Sequence, residues 1–241
     1  MALNPKAVLP KPWRKRIAHN LGLVMSPRFY LPAGDTLEGF FHKLHAAGVH
    51  CVVLRWFEDL PHVADGEDVD LLVRDEDLAK VVRMLDPLGG DIPFDIYTVS
   101  GRAGTRFKGT PYFSRPLAER ALESAIRHRL VFPVPAAREH FDTMAYHAVY
   151  HKGRASGLPD RHEGPKTMVA PEHDYLQVLT TLRDRLGLRM EITLDTIDDY
   201  LTERGYRPSG SVLETLSRTN TWLRSRGLRA INSSKAKPAH G

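Results

Sequence analysis

Residues 64–73 read ADGEDVDLLV: two acids two positions apart, Asp68 and Asp70, run directly into the hydrocarbon of Leu71, Leu72 and Val73. A short apolar, β-branched run behind the turn signal ADGE predicts a buried strand over DVDLLV. Residues two apart in an extended strand project from the same face, so the two carboxylates stand side by side. An unpaired carboxylate at the mouth of a buried strand is costly, and the pair repels unless a positive charge sits between them.

Working outward from this strand, VHCVVLRWF (49–57) predicts an earlier strand antiparallel to it. Before that, TLEGFFHKLHAAG spaces Leu37, Phe40, Phe41, Leu44 and Ala47 as a helix, with Asp35 as expected N-cap and Gly48 as breaker. After it, a second helix begins at Asp75 in DEDLAKVVRMLDPL and closes at Gly89-Gly90, and IPFDIYTV alternates as a third strand carrying Asp95. The order is α-β-β-α-β. SGRAGTRFKGTPYF then reads as a glycine-rich basic loop.

Beyond Pro116 the pattern turns helical, with segments LAERALESAIRHRL, AAREHFDTMAYHAVYHKG, PEHDYLQVLTTLRDRLGL, TLDTIDDYLTERGY and SVLETLSRTNTWLRSRGL, interrupted by the short strand-like LVFPVP. The fold class expected is α+β: a small mixed sheet flanked by helices, followed by a helical C-terminal region. The divisions are a basic proline-rich arm over 1–33, an α+β domain over 34–135, a helical region over 136–230 and a small polar tail over 231–241.

The 241 residues suffice for one large domain or two small ones with a real core. No apolar run of 18 residues appears, and the start MALNPKAVLPKPWRKRIAHN lacks the apolar centre of a signal peptide. The lone Cys51 lies in the apolar HCVVL, which predicts a buried reduced thiol, and with the preceding point a cytoplasmic protein without a membrane span. Six of the 34 bases and none of the 29 acids precede Asp35, so the basicity is local to the arm. Prolines at 5, 10, 12, 27 and 32 leave the arm extended, with room for a short helix around Arg14 to Leu23. Such an arm can bind nucleic acid through phosphate but is more often solvated.

A same-face Asp-x-Asp at a strand end offers hard oxygen ligands of the kind Mg²⁺ or Mn²⁺ takes. A third carboxylate from a neighbouring strand completes such a site, and Asp95 is the candidate. On these residues (Gly66, Asp68, Asp70 and the helix-strand order around them) the chain resembles the nucleotidyltransferase superfamily with the polymerase-β-like fold. The likeness is to its minimal bacterial members, whose second strand reads G-x-D-hydrophobic-D-hydrophobic, and covers residues 35 to about 155. VPAAREHFDTMAYHAVYHKG further resembles a helix of uncharacterised nucleotidyltransferase-like proteins from polysaccharide gene clusters. The resemblance implies that Asp68, Asp70 and Asp95 hold Mg²⁺ or Mn²⁺ and that a nucleotidyl group passes from an NTP to an acceptor.

One departure bears on activity. The superfamily carries Gly-Ser after its first strand, and here VVLRWFEDLP places Arg55 and Trp56 there. An arginine fork grips phosphate oxygens in two places, yet the same guanidinium can pair with Glu58, Asp59 or the Asp-x-Asp itself. Arg102, Arg106 and Lys108 in the glycine-rich loop, and Lys152 after the helix, are further candidates for nucleotide binding. His147 and His151 share a helix face, but HAVYH lacks the glutamate of HExxH, which favours packing over zinc. The alternatives are a catalytically degenerate nucleotide- or partner-binding module, and a sugar-nucleotide glycosyltransferase using Asp-x-Asp for its metal.

Overall fold

The computed structural model describes residues 28–87, 89–102, 110–164 and 173–227. The expected helix near Arg14, Arg106, Lys108 and the polar tail lie outside these residues. The chain divides into two compact units. One takes the described residues up to Tyr112 together with Ala125–Pro135; the other takes Phe113–Ser124 and the described residues from Ala136 onward.

The first unit runs β1 (Phe29–Tyr30), α1 (Leu37–Ala46), β2 (Cys51–Val53), β3 (Val69–Val73), a 3₁₀ turn (Asp75–Asp77), α2 (Leu78–Met84) and β4 (Pro93–Thr98). These strands form one sheet in the order β1-β4-β3-β2. The β2 and β3 strands are antiparallel, as expected, whereas β3 and β4 are parallel with Asp70 opposite Asp95. Strand β1 pairs antiparallel with β4, so the last residues of the proline-rich segment are part of the sheet.

The pleat sorts the side chains by face. Val69, Leu71, Val73, Phe94 and Ile96 pack with Phe40, Phe41 and Leu44 of α1 and Val81 of α2 in one apolar core. Phe40 meets Phe94 edge-on at 5.1 Å and Phe41 meets Phe132 at 5.2 Å, the geometry aromatic rings prefer. The odd positions of β3 therefore anchor the sheet, and Asp70 must project from the other side. Cys51 is buried as expected, and burial pushes its thiol up to about 12.

Several local expectations are corrected. Thr36, not Asp35, caps α1, accepting from the Gly39 amide, while Asp35 pairs with Lys43 at 2.8 Å. Helix α2 ends at Met84, because Leu85 turns extended and Asp86 bridges to Tyr30. The segment LAERALESAIRHRL divides: α3 (Arg115–Glu123) belongs to the second unit, and β5 (Ile126–His128) forms a hairpin with β6 (Phe132–Val134) in the first. Its turn places Arg129 and Leu130 at φ 48° and 63°, the left-handed pair of a type I′ hairpin usually made by Asn-Gly.

In the second unit follow α4 (Ala137–Tyr146), a π-helix (His147–Lys152), a 3₁₀ turn (Gly153–Ser156), α5 (Tyr175–Arg185), α6 (Leu194–Glu203) and α7 (Gly210–Ser217). The expected helix over 211–228 breaks at Asn220, with a further helical segment over 221–227. The break has a cause in the π-helix, whose wider turn frees carbonyls: the Asn220 amide donates to Val149 O at 2.8 Å and Tyr150 O at 3.0 Å. His147 and His151 stack on each other with ring centroids 5.4 Å apart, and His147 also stacks on Tyr175, a packing role. Among the described residues no helix is long and apolar enough to cross a membrane.

Candidate functional site

The parallel register of β3 and β4 sets Asp70 beside Asp95, and Asp68 stands just before β3 on the same side. Ligand oxygens of the three carboxylates lie within 4.8 Å of one another. Asp70 and Asp95 are buried, at 4% and 6% exposure, while the Asp68 side chain is about a quarter exposed. The donor set is three hard carboxylate oxygens, which could hold a metal ion.

Two arginines balance these acids. The amide of Leu54 donates to Asp70 O and extends the β2–β3 ladder by one residue. Trp56 then enters the left-handed region at φ 54° and ends the strand, which explains why the expected strand over 49–57 is short. Arg55, held between these two features, folds back so that its Nη2 meets Asp70 Oδ1 at 2.8 Å, and its side chain is only 9% exposed. Of the two uses the sequence allowed for Arg55, the ion pair with the Asp-x-Asp is the one observed. Arg28, one residue before β1, donates to Asp68 Oδ2 and lies 3.8 Å from Asp95 Oδ1.

Two tyrosines complete the wall. Tyr97, two residues beyond Asp95 and so on the same face, donates to Asp70 Oδ1 at 3.1 Å. Its ring lies 4.0 Å from that of Tyr112, and the Arg55 guanidinium sits 5.6 Å from the Tyr112 ring, a cation–π contact. Burial pushes the Asp70 carboxyl up to about 6; the neighbouring charge of Arg55 opposes this, and those of Asp68 and Asp95 add to it. Burial also raises the Tyr97 phenol, with the Asp70 charge second, so Tyr97 is a hydrogen-bond donor across the neutral range.

The remaining candidates fall elsewhere. Arg102 lies past the far end of β4: its amide donates to Thr98 Oγ1 at 2.8 Å and its guanidinium to Asp75 O at 3.1 Å. It closes the turn after Thr98, which lies three positions along the strand from Asp95. The loop that carries Arg106 and Lys108 is pinched at its base, since a Cβ on Gly101, at φ 69°, would come within 2.3 Å of the Thr110 carbonyl carbon. Lys152 is an exposed residue of the second unit. Arg28, Tyr97 and Tyr112 escaped the sequence reading, although Tyr97 was legible as the same-face neighbour of Asp95. Comparison of the chain with protein-family models, curated proteins and solved structures finds no match.

Proposed function

We propose that the first unit is a nucleotidyltransferase-like module that binds a divalent metal and an NTP and passes a nucleotidyl group to an acceptor. The observation that supports this reading is the convergence of Asp68, Asp70 and Asp95 from adjoining strands. Bound there, Mg²⁺ or Mn²⁺ would polarise a phosphoryl oxygen and offset the charge of the attacking and leaving oxygens. Asp70 and Asp95 are fixed by the sheet and Asp68 by the turn before it, so the ligands are placed before any ion arrives. Arg55 and Tyr97 hold Asp70 in one rotamer. Arg28, with a side chain 38% exposed, has the freedom to release Asp68 and take phosphate oxygens with its fork. The basic arm before it is suited to a polyanionic partner, and a cytoplasmic site of action fits the reduced Cys51.

A second reading has its own support: a binding module that has lost catalysis, in which Arg28 and Arg55 act as permanent counter-ions to the acids. Electron paramagnetic resonance titration with Mn²⁺, then an NTP panel with pyrophosphate release as readout, separates the two. The enzyme reading expects Mn²⁺ binding and turnover that both vanish in Asp95→Asn. Binding without turnover supports the module, and no Mn²⁺ binding removes the metal from both.

A further inference from the structure

The second unit contains a cavity of about 900 Å³, within the size range of small-molecule sites. Its wall is basic, with five arginines against Asp160, Asp195 and Glu214. The arginines are positioned rather than loose. Asp195 and Asp198 lie three residues apart on one face of α6 and are 7% and 2% exposed. Asp195 takes Arg226 Nη1 at 2.5 Å and Arg161 Nε at 3.4 Å. Asp198 takes Arg226 Nη2 at 3.0 Å and Arg207 Nε at 3.3 Å, and accepts from Tyr150 Oη at 2.7 Å.

Among the described residues, three guanidiniums thus share two buried carboxylates and the exposed Asp199, which meets Arg226 at 3.4 Å, while Arg154 pairs with Asp160 at 2.8 Å. Arg224 is fixed differently. It donates to Ser217 O at 3.2 Å and Arg218 O at 2.8 Å, at the end of α7. Among the described residues no carboxylate lies within 4 Å of it, so its place is set while its charge stays uncancelled. Leu213, Leu223 and the ring of Trp222, which carries the Arg226 guanidinium 5.4 Å from its centre, give the same cavity an apolar side.

We infer that this cavity binds a small organic molecule bearing a phosphate group. The phosphate lies against the arginine wall, where planar forks match its oxygens, and an apolar body lies against the partly buried Leu213. Nothing in this inference depends on the metal site of the first unit.

Isothermal titration calorimetry in EDTA with phenyl phosphate, inorganic phosphate and phenol tests it on the full chain. Phenyl phosphate is expected to bind saturably and more tightly than either inorganic phosphate or phenol. Arg224→Ala should weaken it about 10-fold or more, the share of one charge-assisted hydrogen bond. Arg161→Ala, at a side chain 65% exposed, gives a second variant whose folding does not rest on the altered residue. Absence of saturable binding overturns the inference. So does wild-type affinity in both arginine variants, or inorganic phosphate binding as tightly as phenyl phosphate.

Discussion

The two units use the same pair of side chains to opposite ends. In the first, three aspartates on or beside adjoining strands meet two arginines from just beyond strand ends, and acids outnumber bases. In the second, two buried aspartates on one helix face, joined by the exposed Asp199, organise three arginines, so acids and bases are matched in number. A buried ion pair contributes little to stability on its own account, because desolvation consumes most of the attraction. What such clusters do instead is fix their members: the first is left with a surplus of acid, while in the second unit the charge that no described carboxylate meets is that of Arg224, outside the balanced cluster. Each uncancelled charge selects the sign of what can join it.

The comparison breaks most visibly if one aspartate is removed from the first unit. Asp70→Asn should lower metal-dependent turnover by more than the roughly 10–100-fold that loss of an outer-shell partner costs, measured as pyrophosphate release. Turnover unchanged by this substitution would mean that the negative surplus serves no metal. In the second unit, Asp198→Ala leaves Arg207, Arg226 and the Tyr150 hydroxyl without their shared acceptor. The expected cost is about 3 kcal/mol, the low end for breaking a buried pair because both arginines are partly exposed, read from urea denaturation.

A pH series sharpens the contrast. The folded Asp70 carboxyl lies at about 6 and its ordinary value is 3.8, so the folded state binds this proton more tightly than the unfolded state. Its contribution to stability is full below about pH 4 and is lost as the pH rises through 6. In metal-free buffer the melting temperature of wild type relative to Asp70→Asn should therefore fall between pH 4 and 7. The smallest effect is expected for Arg161→Ala, because the Arg161 side chain is largely exposed and Asp195 keeps its pair with Arg226: less than about 1 kcal/mol in stability. A larger loss would make Arg161 part of the scaffold and not of the cavity's recognition surface.

How much of this was legible in the sequence follows from where the determining contacts lie. The strand DVDLLV, its same-face acids, the helix before it and Asp95 on the next strand are set by local period and turn residues, and the structure brings those three carboxylates together. The two-residue β1 has no period to read, and its partner in β4 lies more than sixty positions on. The hairpin over Ile126–Val134 was hidden because helical spacing runs through it and its left-handed turn is built from Arg129 and Leu130, with no glycine or asparagine to announce it. The break at Asn220 depends on carbonyls released seventy residues earlier. The arginine-lined cavity has no motif, since its residues come from a loop, two helices and the segment after them.

The pinch at Gly101 bears on how the first unit tolerates change. Gly101 follows the end of β4 at Thr98, and its backbone lies directly against that of Thr110 and Pro111. A side chain placed at Gly101 would have to part this seam, at a backbone φ of 69° that residues other than glycine rarely adopt, so the position just past the strand that carries Asp95 is one of low tolerance to substitution.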